Sequence, residues 1–260
     1  MNEDLALIRE AATAAGRLAK GLREQGLKTE WKANNSPVTN GDLAVDAMLK
    51  ERLLAARPDY GWLSEESADN AERLSRQRVF NVDPIDGTFA YIKDKAWYAV
   101  CIAVIDGDRP SAGVVYLPEL DELYAAAAGE GATLNGQAIR PSNPPDLEGS
   151  TMLGDRKMFA HPAWPRPWPP MQIESRNSIA YRMCLVASGA FDACLAPSPK
   201  HDWDVAAPDL ICTEAGALVT DHKGRSFRYN QPIPRQRALV CAGPRLHPLL
   251  LERVSHMQDD

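Results

Sequence analysis

The chain has 260 residues, with 29 Lys and Arg against 35 Asp and Glu and a formal net charge of −6. That length can bury a sizeable core without staples, as one large domain or two closely packed halves. The acidic balance, with no basic stretch long enough to track a phosphate backbone, argues against a general binder of nucleic acid or of anionic membranes.

In chain order, residues 3–26 have helical periodicity through Leu5, Ile8, Ala12, Ala15 and Leu18, with Gly26 as the stop. Residues 27–41 are polar and loop-like. A second helix is predicted over 42–56, with Leu43, Ala47, Leu49, Leu53 and Leu54 inward and Pro58 just past its end. Positions 69–77 form a polar connection, and a strand follows over 79–82. Residues 97–140 alternate in the β manner, punctuated by Asp106-Gly107-Asp108 and Gly129-Glu130-Gly131. This predicts an antiparallel meander of 98–105, 111–117 and 121–127, then a short strand near 138–140. Pro141 through Pro145 is a natural hinge, dividing the chain into halves 1–143 and 144–260.

A strand is expected over 151–155. The proline-rich run at 161–170 can be neither helix nor central strand. A surface loop is its default reading, and a P-x-x-P partner site the alternative. Beyond it come helix 178–188, strand 191–195, helix 204–216, strands 217–220 and 237–241, and a closing helix over 246–257. Helices and strands mix throughout, so the class is α+β or α/β, without internal repeats. No run approaches the ~20 apolar residues of a membrane span. The start Met1-Asn2-Glu3-Asp4 lacks the basic opening of a secretory signal. Cys101, Cys184, Cys194, Cys212 and Cys241 are odd in number and form no C-x-x-C, which reads as buried free thiols in a reducing compartment. The expected location is cytoplasmic.

Chemistry concentrates at Asp83-Pro84-Ile85-Asp86-Gly87-Thr88, directly after the apolar run Val79–Val82. The proline pushes Asp83 into extended geometry and is expected to break the strand, letting Asp83 and Asp86 converge. Converging acids attract a hard divalent cation such as Mg²⁺. Gly87 and Thr88 offer N–H groups to an anion at a helix start. The bland alternative is a simple turn, since Asp, Pro and Gly are turn formers. Two further segments weigh against it. Trp62-Leu63-Ser64-Glu65-Glu66-Ser67 brings two adjacent acids, which alone would be a solvated face. His201-Asp202-Trp203-Asp204-Val205-Ala206-Ala207 leads into Cys212-Thr213-Glu214-Ala215-Gly216-Ala217. Asp204 there stands where a helix begins, where capping is its structural role, and Trp203 reads as a packing anchor.

Together these strings resemble the inositol monophosphatase family, within the lithium-sensitive, metal-dependent phosphatases. Ser36-Pro37-Val38-Thr39-Asn40-Gly41-Asp42 looks like the family's S-P-V-T-x-x-D loop, and Gly113–Pro118 through Gly131–Gly136 is also family-like. The resemblance covers residues 5–245. It implies a layered α-β-α-β-α sandwich with the site between two halves. It also implies two or three Mg²⁺ ions. Glu65, Asp83 and the carbonyl of Ile85 would hold the first; Asp83, Asp86 and Asp204 the second; a weaker third would touch Glu65. A metal-activated water would give its proton to Thr88 with Asp42, or to Glu65. Asp86, Gly87, Thr88, Arg182 and Asp204 would make the phosphate and substrate side. Lys32 is a candidate for the phosphate or third ion, against the reading of a solvated loop lysine.

Haloacid-dehalogenase-like enzymes use D-x-D-G-T and phosphorylate the first Asp. Here Pro84 and Ile85 both separate the acids, which argues for metal ligation instead. The implied substrate is a small soluble phosphate ester, with neither nucleic-acid polymer nor membrane as partner, and family habit suggests a homodimer. Inositol phosphatases place a glutamate shortly before His-x-Trp-Asp; Pro197 stands there, against strict inositol specificity. Phe89–Lys93 and Asp108-Arg109-Pro110 look closer to the bacterial 3′(2′),5′-bisphosphate nucleotidase branch, with Arg182 a candidate for a second phosphate. Histidinol phosphate is a third family substrate. A non-catalytic role with RNA polymerase or RNA-processing partners is the alternative of a different class.

Overall fold

The computed structural model describes residues 2–33 and 35–258. Its α-helices are α1 (Glu3–Gln25), α2 (Asn40–Ala56), α3 (Thr88–Ile92), α4 (Arg156–Phe159), α5 (Ile179–Ala187), α6 (Asp202–Ala215) and α7 (Leu246–Val254). Local chemistry sets their ends. Asn2 caps α1 by accepting the Leu5 N–H, and Gly26 closes it at φ 98°. Thr39 and Asp42 form a capping box that opens α2. Gly216, left-handed, ends α6.

A seven-stranded sheet runs in the order Gly61–Ser64, Arg78–Asp86, Ala99–Asp106, Arg109–Leu117, Glu122–Ala127, Ala132–Leu134 and Gln137–Ala138. Its first pair is parallel and the rest are antiparallel. The central strands are buried on both faces, so they read as nearly continuous apolar runs. One face, with Phe80, Val82, Ile102 and Val114, packs on Ile8, Ala12, Val45 and Leu49 of α1 and α2. Each large side chain buried this way contributes about 1.5–3 kcal/mol. The other face, with Val79, Cys101, Ala103 and Val115, packs on α5 and α6.

Those two helices also cover a five-stranded sheet, ordered Gln172–Glu174, Thr151–Leu153, Ala193–Ala196, Leu239–Ala242 and Leu218–Thr220. Helix α7 closes its far side through Leu246, Leu250 and Val254 on Met152, Leu195 and Val240. The layers are thus α1/α2, sheet, α5/α6, sheet, α7, the α-β-α-β-α sandwich that the resemblance implies. The inner contact is close: a methyl on Gly113 would lie 2.9 Å from the Ala207 carbonyl oxygen of α6.

Several elements differ from the sequence expectation. Residues 27–41 hold a hairpin, Thr29–Trp31 against Pro37–Thr39, and α2 starts at Asn40 because Thr39 is its cap. The connection at 69–77 contains a 3₁₀ turn over Ala71–Ser75 whose Arg73 is buried on Asp69 and Asn230. Near 138–140 lies a two-strand hairpin, Ala132–Leu134 with Gln137–Ala138. The strand from Thr151 stops at Leu153, since Asp155 caps α4. Strand Gln172–Glu174 was not anticipated. Residues 161–170 form neither helix nor strand, and two of them, Trp164 and Trp168, pack edge to face on each other. All five cysteines are buried and free. Among the described residues, no helix is long and apolar enough to cross a membrane.

Candidate active site

Asp83 and Asp86 both ride on the strand Arg78–Asp86, which continues past Pro84 instead of breaking there. Asp83 pairs with Cys101 and the next partners are Asp86 and Ala99, so three steps on one strand meet two on the other. That is a β-bulge, and Pro84, with no N–H for the ladder, falls within it. In a regular strand, residues three apart face opposite sides. Here both carboxylates turn toward the α5/α6 layer. Asp86 Oδ2 accepts the Ser178 hydroxyl at 2.6 Å and the Ala180 N–H at 2.7 Å. Carboxylate oxygens of Asp83, Glu65 and Asp204 lie within 4.8 Å of one another.

The chain then turns at Gly87, left-handed at φ 93°, where a methyl would sit 2.9 Å from the Trp97 carbonyl oxygen. Only glycine meets both demands. Thr88 opens α3, with its Oγ1 3.1 Å from Asp42 Oδ1 and 3.3 Å from the Ile85 carbonyl oxygen. The other Asp42 oxygen accepts from Thr39, so the capping box that starts α2 also aims this carboxylate at Thr88.

Glu65 leaves the end of strand Gly61–Ser64, its N–H donating to the Val82 carbonyl at 3.3 Å. Asp46, one turn after Asp42 on α2, accepts the hydroxyls of Ser64 and Ser67 and so pins the loop that carries Glu65. Lys32, from the hairpin, reaches Glu65 at 2.9 Å and Glu66 at 2.7 Å. Asp204 arrives on the first turn of α6, where its Oδ2 accepts the His201 N–H at 2.8 Å. Buried Asp202 accepts from Gln236 Nε2 at 2.7 Å and the Asn230 N–H at 3.1 Å, fixing that turn. His201 stacks on Trp203 at 4.4 Å, and Trp203 packs against the core.

Crowded acids hold protons tightly. Burial, then the charges of Asp86 and Glu65, pushes Asp204 up to about 8. Burial raises Asp86 to about 6 against the hydrogen bonds from Ser178 and Ala180. Asp83, buried and facing Glu65, Asp86 and Asp204, is held well above the carboxylate range. Burial carries Glu66 to about 7 in spite of Lys32, and Asp42 is raised by burial against its bonds from Thr39. Such a cluster of oxygen donors with one neutralising lysine fits a hard divalent cation, which would replace the protons.

Asp86 and Asp204 face a cavity of about 500 Å³ whose walls include Arg182, Pro197 and Lys200. The sequence-selected residues therefore fall into neighbouring groups: Glu65, Asp83 and Asp204 together; Thr88 with Asp42 and the Ile85 carbonyl; Gly87 at the turn; Asp86 and Arg182 on the cavity. Lys32 is a partner of two acids rather than solvated. Sequence reasoning missed Asp46, Ser178 and Lys200. Asp46 had a signal, its i+4 spacing from Asp42 on one helix face; Ser178 had only the generic mark of a helix cap.

The family model described as the inositol monophosphatase family matches residues 1–259. The chain belongs to the inositol monophosphatase family. Its members are metal-dependent phosphatases of small phosphate esters. Among relatives, Nus factor SuhB of Pasteurella multocida is 32% identical, with 97% of this chain and 96% of that protein aligned. The 3′(2′),5′-bisphosphate nucleotidase CysQ of Escherichia coli K12 is 32% identical over 90% of this chain and 94% of its own. The solved structure of extragenic suppressor protein suhB from Bartonella henselae superimposes with a TM-score of 0.84 at 26% identity, covering 99% of this chain and all of that one.

Proposed function

We propose that this chain is a Mg²⁺-dependent phosphomonoesterase of a small soluble phosphate ester, nearer to a 3′(2′),5′-bisphosphate nucleotidase than to an inositol monophosphatase. The observation that carries the reading is the meeting of Glu65, Asp83 and Asp204 within 4.8 Å, beside the Thr88–Asp42 pair. Glu65, Asp83, Asp86, Asp204 and the Ile85 carbonyl would hold two ions, with a third at Glu65. When bound, the cations neutralise phosphate charge and acidify water.

The chain's own groups do the rest. Thr88 Oγ1 accepts a hydrogen bond from the attacking water and passes its own proton to Asp42 Oδ1, 3.1 Å away. Burial raises Asp42, which suits it to take that proton. The water oxygen bonds to phosphorus as the bond to the ester oxygen breaks, and the leaving alkoxide takes a proton from solvent. The N–H groups of Gly87 and Thr88 steady the phosphate oxygens. Pro197, where inositol phosphatases place a glutamate, offers no acceptor for ring hydroxyls and supports the nucleotidase side. The reading extends to a cytoplasmic enzyme, dimeric in family habit, whose halves 1–143 and 144–260 close on the site.

Phosphate release from inositol 1-phosphate, adenosine 3′,5′-bisphosphate, histidinol phosphate and fructose 1,6-bisphosphate, with and without Mg²⁺, tests it. Turnover that survives chelation, or none on any ester, rejects it. The relative named Nus factor keeps one second reading, binding to the transcription machinery without catalysis. An Asp86→Asn, Asp204→Asn protein separates the two: a cellular role that outlives turnover favours binding.

A further inference from the structure

Asn81, in the middle of the strand Arg78–Asp86, is 2% exposed, and neither its Oδ1 nor its Nδ2 meets a hydrogen-bond partner among the described residues. The other buried amide side chain, Gln236, donates to Asp202 at 2.7 Å and to the Arg228 carbonyl at 3.0 Å. Leaving both ends of an amide bare in a core is unfavourable, so such a group in a folded chain needs a reason.

Its surroundings say where a partner can come from. Val79, Asn81 and Asp83 alternate onto the face of the sheet that meets α5 and α6. The register sets Leu63 on one side of Asn81 and Ala103 on the other. On that face the next positions in one direction are Gly61, Val79 and Ile105; in the other they are Glu65, Asp83 and Cys101. Of these positions the only carboxylates are Glu65 and Asp83, both on the same side and both in the acid cluster. Helix α6 closes the layer. Its Asp204 reaches Asp83 and Glu65, and its Ala207 lies on Gly113, which shares a row with Ala103 and Asn81. Asp83 is about 7 Å along the strand from Asn81. A Mg²⁺ ion keeps several waters about 2.1 Å away, and each can bond an amide about 2.8 Å further, so its hold extends roughly 5 Å.

We infer that Asn81 is a positioning residue of the cation centre, whose amide bonds the hydration shell of a Mg²⁺ ion held by Glu65, Asp83 and Asp204. This rests on the reading of those acids as a Mg²⁺ site and extends that site one residue pair into the core. The bare amide is then a burden on the metal-free fold that the loaded one does not carry. Removing it acts with opposite signs on the two states: the metal-free chain becomes more stable, and the ion is held less tightly.

The test is calorimetric titration with Mg²⁺, beside thermal unfolding of the metal-free protein, on wild type, Asn81→Val and Asn81→Ser. Valine suits a strand and carries no polar atom. Asn81→Val should lower Mg²⁺ affinity about 10- to 100-fold, the scale found for outer partners of metal ligands. It should also raise the metal-free melting temperature by about 2–8 °C. Asn81→Ser keeps a donor and an acceptor and should hold most of the affinity. Ca²⁺ gives up water for protein oxygens more readily than Mg²⁺, so its affinity should fall less. Unchanged Mg²⁺ affinity in Asn81→Val overturns the inference and leaves Asn81 a tolerated core amide. Equal loss for both cations, with a lower metal-free melting temperature, makes it a packing residue and overturns the inference too. If wild type binds no Mg²⁺, the reading of the acids falls as well. Should Asn81→Val fail to fold, Asn81→Ala removes the same amide without added bulk, and the comparison of Mg²⁺ with Ca²⁺ is made on it.

Discussion

Magnesium binding should be coupled to proton release, and the acid cluster sets the size of the coupling. Asp204 is pushed to about 8 and Asp86 to about 6, while buried Asp83 lies well above the ordinary carboxylate range. All three are raised above their values in the unfolded chain. The folded metal-free protein therefore binds more protons than the unfolded one between about pH 4 and about pH 8, and its stability falls as pH rises through that window. Cations that take these oxygens must displace the protons. One displaced proton makes affinity rise about tenfold per pH unit, or about 100-fold from about pH 6 to about pH 8, near 2.7 kcal/mol. Displacing two, from Asp83 and Asp204, squares that ratio. Calorimetry in two buffers of unlike protonation enthalpy counts the protons directly, and thermal unfolding with and without Mg²⁺ should show a wider gap at the higher pH. Asp204→Asn should weaken binding and flatten the slope. A Mg²⁺ affinity that stays level across the window, with no proton released, would refute the reasoning.

Thr88→Ala and Asp42→Asn should each cut kcat about 10²–10⁴-fold, the worth of a positioned proton acceptor, while calorimetric Mg²⁺ affinity changes far less. Asp46→Ala should destabilise the fold by about 1.5–3 kcal/mol, since a buried charged acceptor of two hydroxyls is lost, and should also weaken Mg²⁺ binding by loosening Glu65; urea titration and calorimetry read the two effects. Gly113→Ala should cost about 1–3 kcal/mol by overpacking, because the new methyl meets the Ala207 carbonyl at 2.9 Å; an unchanged urea midpoint would mean that α6 yields freely.

The acids of the site were legible because their chemistry is local. Asp83-Pro84-Ile85-Asp86-Gly87-Thr88 carries its bulge-forming proline, its turn glycine and its helix start within six residues. Even so, the expectation of a broken strand was wrong in kind. Neighbouring strands supply enough ladder bonds to carry the chain past Pro84, so a bulge replaces the break. What sequence could not supply were partners from afar. Lys32 meets Glu65 and Glu66 across more than thirty positions, and nothing in a polar loop marks one lysine over another. Asp46 gains its role only when strand Gly61–Ser64 is laid against α2. The hairpin inside residues 27–41 was hidden because its strands are only three residues long and the first, Thr29–Trp31, is exposed throughout and so carries no alternating apolar pattern. Helix and strand limits elsewhere moved by a residue or two where a cap such as Thr39, Ser178 or Asp155 decided the end.

Gly113 sits in the middle of a sheet, far along the chain from any acid, yet it helps to locate one. Helix α6 bears Asp204 on its first turn and rests with Ala207, one turn later, on the bare backbone at Gly113. The depth to which that carboxylate reaches is therefore metered by a hydrogen atom where other residues carry carbon. Changes in this remote seam would tune the metal pocket without altering a single ligand.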